Sequence, residues 1–230
     1  MPNRKSPRHK GVIIFVTGAR REACNIETIV GLPPMSNLIS TPIAPKLRLL
    51  PVGPGSEELV RLLGGQSSEI EACDAALFLI SAQHGASSDD QKSWELAREL
   101  YVPSIVVITD LVGADLDFDD MSAIAGKQFD PLVTPFLVLH SDDGSPAALI
   151  DLDTLKIREI QTENLIVRDS DSEHKVLVFE FRKEFLEAVE AAGDGAFEQG
   201  LLYPSLPYIP ETGLGLNEIA QYLNLLPMSS

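Results

Sequence analysis

Three side chains able to do chemistry stand where apolar runs give out: His84, Thr109 and Asp110. An imidazole beside a carboxylate can take and return a proton near neutral pH. A loop histidine with no ligand fits the same pattern, so the pairing stays open at this level. His84, His140 and His174 lie in separate segments, and no two stand at metal-ligand spacing. Asp115, Asp117, Asp119 and Asp120 could attract a hard cation, but they lack the spaced loop and closing glutamate of a calcium site. A solvated acidic face accounts for them equally well. Cys24 follows Arg20 and Arg21 near a helix start, surroundings that lower a thiol pKa, although a buried core cysteine reads the same way. No G-x-S-x-G nucleophile elbow occurs. The residues therefore assign no catalytic group, no metal site and no cofactor.

His84 and Asp110 gain meaning from the elements that must carry them. Ala75–Ile80 is apolar throughout, and Ser104–Thr109 is a second such run rich in Ile and Val. Runs that are apolar on both faces predict strands buried in a parallel sheet. Between them Trp94, Ala97, Arg98 and Tyr101 recur at helical spacing behind the N-cap candidates Ser87-Ser88-Asp89-Asp90. This is a βαβ unit with a right-handed crossover, and ligands in such sheets sit at the carboxyl ends of the strands.

Elsewhere Val12–Val16 predicts a first strand running through Thr17–Glu22 into a helix, and Met35–Pro45 a loop. Leu47–Leu50 predicts a short strand, and Ser56 the cap of a helix carrying Leu59, Leu62 and Leu63. Asp119–Lys127 predicts a short helix, Phe136–Leu139 and Leu149–Leu152 strands. "NLIVRD" and "KVLVFEF" read as strand-like, Phe185–Ala192 as helix, residues 203–212 as an extended loop and Leu216–Leu226 as an amphipathic helix. The alternation predicts an α/β domain over residues 11–230, with residues about 140–200 as an inserted lobe.

The chain has 230 residues, 44% of them hydrophobic, with a net charge of −16. Arg4, Lys5, Arg8 and Lys10 stand in a first decade without acids, so residues 11–230 are more acidic still. Such a body disfavours nucleic acid and anionic membrane, except through the basic arm at residues 4–10. That arm is too short and too poor in apolar residues for a secretory signal, and no run approaches membrane-spanning length. Cys24 and Cys73 are the two cysteines and form no C-x-x-C pair. The expectation is a cytoplasmic protein.

In register along the chain, "CDAALFLI", Gly85, Trp94, "VPSIVVITDLVGADLDF", "TPFLVLHSDDGSPAALIDLDTLKI" and "PSLPYIPETGLGLNEIAQYLNLLP" resemble the GTP-binding domain of elongation factor G and other translational GTPases. The resemblance implies a P-loop NTPase-like fold: a mostly parallel sheet with helices on both faces, plus a small inserted subdomain. By the same resemblance, the phosphate-binding loop is Phe15–Glu22 and the guanine-selecting loop Thr109–Val112. The nucleotide-binding residues are then Gly18, Ala19, Arg20, Arg21, Glu22 and Asp110, with His84 and Thr109 lining the crevice.

The departures fall on the chemistry. A phosphate loop needs G-x-x-x-x-G-K-[ST], with backbone N–H groups around the phosphates, Lys on the outer ones and Ser/Thr on Mg²⁺. Here Arg20 replaces the second glycine, Arg21 the lysine and Glu22 the Mg²⁺ ligand. The family's "DTPGH" is matched by Val52–Ser56, without its acid or its histidine. At the guanine-selecting aspartate stands Val112, which has no acceptor, and the closing "SA" is Ser205-Leu206 or Pro207-Tyr208. Three readings follow. The first is an inactive GTPase-like domain that binds protein, either a translation-related partner or a copy of itself, with no cofactor. The second retains GTP, GDP or another phosphate ligand, with or without Mg²⁺, through Arg20, Arg21 and Asp110. The third places an unrelated ligand between His84 and Asp110.

Overall fold

The computed structural model describes residues 47–161 and 164–227. Its organising element is a five-stranded parallel sheet in the order β2-β1-β3-β4-β9. These strands are β1 (Arg48–Val52), β2 (Gln66–Ser67), β3 (Ala75–Ser81), β4 (Ser104–Thr109) and β9 (Ser205–Pro207). Every residue of β4, and all of β3 before Ser81, is buried, as two-sided apolar runs require. Helices α1 (Ser56–Leu63), α2 (Ser88–Glu99), α3 (Phe118–Gln128) and α6 (Leu216–Leu223) flank the sheet.

Local chemistry sets the helix starts. Ser87 caps α2 through a reciprocal pair: its hydroxyl accepts from the Asp90 N–H, and the Asp90 carboxylate accepts from the Ser87 N–H. Ser56 proves to be the first residue of α1 rather than its cap. Gly55 holds the cap position in a left-handed conformation, and the Ser56 hydroxyl donates to the Gly53 carbonyl at 2.6 Å. Under the sheet, Phe78, Trp94, Phe129 and Tyr203 form one aromatic cluster with Trp94 at its centre, 4.7–5.0 Å from its three partners. Ser122 of α3 shares a buried 2.8 Å hydrogen bond with Ser205, which fastens β9 to the domain.

A second sheet is antiparallel, in the order β5 (Phe136–His140), β6 (Pro146–Asp151), β7 (Lys156–Gln161) and β8 (Asn164–Asp169). One face presents Leu137, Leu139, Ala148, Ile150 and Ile157 to Val178 and Phe185, at and beyond the start of helix α5 (Phe179–Ala192). The other face sends Phe136, Val138 and Leu149 into the main core. The segment "KVLVFEF" is helical rather than extended. Asp171 caps α4 (Ser172–Leu177) by accepting from the His174 N–H, and α5 follows directly. Residues 203–212 are likewise not all loop, because β9 lies within them.

A buried ionic clasp joins the second sheet to α6. Arg158 of β7 donates to Asp151 at 2.8 Å, to Gln221 at 3.0 Å and to Glu218 at 3.4 Å, over the ring of Phe136. Burial raises the Glu218 carboxyl pKa, and Arg158 opposes that rise.

Candidate functional site

β3 and β4 pair in register as far as Ser81↔Thr109, so both chains leave the sheet at one level. The loops that follow β1, β3, β4 and β9 lie at the carboxyl ends of the strands, where such sheets place their ligand crevice. After β3 the chain folds back at once: the Gly85 and His84 N–H groups both donate to the Ser81 carbonyl, at 2.8 and 3.3 Å. That turn brings His84 Nδ1 within 3.1 Å of the Ser81 hydroxyl, while the Gln83 N–H donates to the same hydroxyl at 3.2 Å. His84 is thereby oriented by Ser81.

Across the crevice, Thr109 is buried and its carbonyl accepts from the Ala82 N–H at 2.8 Å. Asp110 adopts φ 56°, a left-handed backbone that Asp tolerates better than most side chains, and it is exposed. Its link to the β3 loop runs through its main chain, whose carbonyl accepts from Gln83 Nε2 at 3.5 Å. His84 and Asp110 thus stand on neighbouring strand-end loops, linked through the polar residues Ser81 and Gln83. Both belong to the strand-end loop Ser81–Gly85 that also carries His84, although the sequence singles out only His84 within it.

After β9 the strand end falls at Pro207-Tyr208, with Ser205 buried inside the sheet, which settles where this loop begins. The Tyr208 N–H donates to the Ile108 carbonyl at 2.9 Å. Its buried phenol is pushed up to about 12, by desolvation and then by Glu211. Leu111 is buried and Val112 exposed. Gly18, Ala19, Arg20, Arg21 and Glu22 lie outside the described residues, as do the Val12–Val16 strand, Cys24 and the basic arm.

Two properties decide what this crevice can hold. The loops 52–56, 82–87, 110–117 and 208–215 contain Asp110, Asp115, Asp117 and Glu211 and no Lys or Arg. Beside them, the turn after β1 is packed onto the neighbouring strand. Gly53 has φ 89°, and a Cβ there would overlap the Leu79 carbonyl of β3. β1 and β3 are hydrogen-bonded directly, as are β3 and β4, so each inner strand has a partner on both sides. Among the described residues no group of three or more His, Cys, Asp or Glu could hold a metal ion. None of the described helices is long and apolar enough to cross a membrane.

No family model matches this sequence, and no curated protein matches it. Among solved structures, the chain is similar to a crystal structure of a protein from Thermus thermophilus. The TM-score is 0.60 at 26% identity over 69% of this chain, which spans 27% of that protein's length.

Proposed function

We propose that this chain is a catalytically inactive translational-GTPase-like domain, a pseudo-GTPase that serves as a protein-binding or regulatory module. The observation that carries this reading is electrostatic. The described carboxyl-end loops, where such sheets take their ligands, hold four carboxylates and no cation. Nucleotide phosphates are held by cationic side chains, Mg²⁺ and backbone N–H groups. Here Val52 and Ser56 stand where the family's Mg²⁺-anchoring acid and water-positioning histidine would be. The β1 turn closes onto β3 through Gly53. Tyr208, just after β9, is buried. The α/β frame therefore persists as a platform whose outer faces do the work.

Calorimetric titration of the full chain with GTP, GDP and ATP, with and without Mg²⁺, tests this. No saturable heat is expected up to about 1 mM nucleotide. Guanine-nucleotide binding at micromolar levels that is lost in Arg21→Ala overturns it and places a phosphate site on Arg20, Arg21 and Asp110.

A further inference from the structure

The end of the sheet opposite the crevice carries a groove of about 690 Å³, lined by Glu95, Arg98, Glu99, Tyr101, Asp130 and Pro131 with Leu201 and Tyr203. Its floor is firmly built. The carboxylate of Asp130 accepts from the indole N–H of Trp94 at 2.9 Å and from Arg98 Nε at 3.1 Å. The Tyr203 hydroxyl donates to the Gly200 carbonyl at 2.8 Å.

The lip is built at a conformational cost. Tyr101 has φ 55° and is 65% exposed, an aromatic held out in solvent on a backbone that side chains of its kind seldom adopt. It stands in the turn that ends α2, where the Tyr101 N–H donates to the Arg98 carbonyl at 3.1 Å and the Val102 N–H to the Ala97 carbonyl at 2.9 Å, and its carbonyl lies so close to Gly200 that a Cβ there would sit 2.5 Å from the oxygen. Leu201 and Leu100 are also half exposed beside it. Tyrosine and arginine over a rigid, partly buried floor are the composition of binding hot spots.

The charge specifies the partner. Arg98 is neutralised by Asp130, which leaves Glu95 and Glu99, one turn apart on α2, without an ion pair among the described residues. An extended segment sends alternate side chains to opposite sides with a repeat of roughly 6.6 Å. That repeat matches the rise of about 6 Å over four helical residues. We propose that the groove receives an extended basic segment of a partner protein, with two Arg or Lys side chains on Glu95 and Glu99. The apolar side chain between them seats on Tyr101, Leu201 and Tyr203. The inference rests on the binding-module reading for its partner, but its ligand chemistry belongs to the groove alone.

Trp94 is the chain's one tryptophan, so its indole N–H gives a single NMR signal at the groove floor. The ¹⁵N-labelled full chain is titrated with the capped peptide Gly-Arg-Leu-Arg-Gly and, separately, with Gly-Glu-Leu-Glu-Gly. A saturable shift of the Trp94 indole and Tyr101 amide signals below about 1 mM is expected for the basic peptide alone. Tyr101→Ala should weaken it by about fivefold or more. The Glu95→Lys, Glu99→Lys variant, whose exposed sites leave folding intact, should reverse the preference between the two peptides. No shift, or equal affinity in the charge-reversed variant, overturns the proposal. So does an indole signal that moves without peptide when Arg4, Lys5, Arg8 and Lys10 are changed to Glu, since the chain's own arm would then be the occupant. Micromolar GTP binding would sink the pseudo-GTPase reading and leave this titration unaffected, so the two failures are distinguishable.

Discussion

Arg158→Ala should be among the most damaging single changes outside the apolar core. The guanidinium is 14% exposed and Glu218, its partner on α6, only 1%. Removing the cation strands that carboxylate in the interior, where Oε2 already has no hydrogen-bond partner among the described residues. It also takes from Asp151 the 2.8 Å bond to its second oxygen, although Oδ1 keeps the Asp153 and Thr154 N–H groups. Breaking one side of a buried pair costs about 3–5 kcal/mol. For a domain whose whole stability is about 5–15 kcal/mol, that is about a fifth or more. The loss must also depend on pH. Burial raises the folded-state pKa of Glu218 above its unfolded value. Its contribution to stability is therefore fully present below the unfolded pKa and disappears as pH rises through the folded one. Without Arg158 the raise grows, so the variant should recover part of its deficit in mildly acidic buffer and lose most at neutral pH. Urea unfolding followed by Trp94 fluorescence and far-ultraviolet circular dichroism reads both. Arg158→Met with Glu218→Leu removes both charges together and should restore most of the stability. A loss below about 1 kcal/mol at neutral pH, the scale of an exposed pair, would refute the clasp. An equal loss at acidic and neutral pH would do the same.

Two further perturbations test other parts of the frame. Gly53→Ala forces a Cβ onto the Leu79 carbonyl at φ 89°, so β1 and β3 must part; the urea midpoint should fall by the equivalent of about 2 kcal/mol or more. Tyr208 is held protonated in the folded state up to about 12. Its share of stability is complete below the ordinary phenol range and lost between about pH 10 and 12, so alkaline unfolding should be shallower in Tyr208→Phe.

The parallel core was legible because β3 and β4 are apolar on both faces and α2 is introduced by Ser87 and Asp90. β9 was not, for a physical reason. It is three residues long and lies among Pro204, Pro207 and Pro210, which mark a loop unless the strand occupies an edge. There the missing N–H of Pro207 costs little, since Tyr208 supplies the bond to Ile108. The segment 175–181 misleads by its composition. The run is apolar and rich in Val and Phe, as strands are, but the Asp171 cap starts a helix, and the helical pair that follows buries Val178 and leaves Val176 and Phe179 in solvent. At the crevice, strand ends placed His84, Thr109 and Asp110 on adjoining loops, whereas the Ser81 and Gln83 hydrogen bonds depend on a turn that no spacing encodes. The clasp could not be read at all, because Arg158 and Glu218 meet only when the second sheet docks. Tyr101 shares a helical spacing with Trp94, Ala97 and Arg98, yet it lies past the end of α2 with a positive φ, in the turn where its N–H donates to the Arg98 carbonyl, and it is exposed.

The strand-end loops also bear on the proposal that this sheet takes no nucleotide. A loop that depends on a ligand leaves polar groups waiting for it, and its stability rises with ligand concentration. The described strand-end loops close on themselves instead. Ser56 donates to Gly53, Ala82 to Thr109, His84 and Gln83 meet Ser81, and Gln83 spans to Asp110. Each of these bonds satisfies a group that a phosphate or a base could otherwise have engaged. To an anion the described loops offer four carboxylates and no Lys or Arg. At the opposite end of the sheet, Glu95 and Glu99 stand without an ion pair among the described residues, beside an exposed, conformationally costly tyrosine. Exposed carboxylates and exposed apolar surface lie together there, which is the ground for proposing that face as the docking surface.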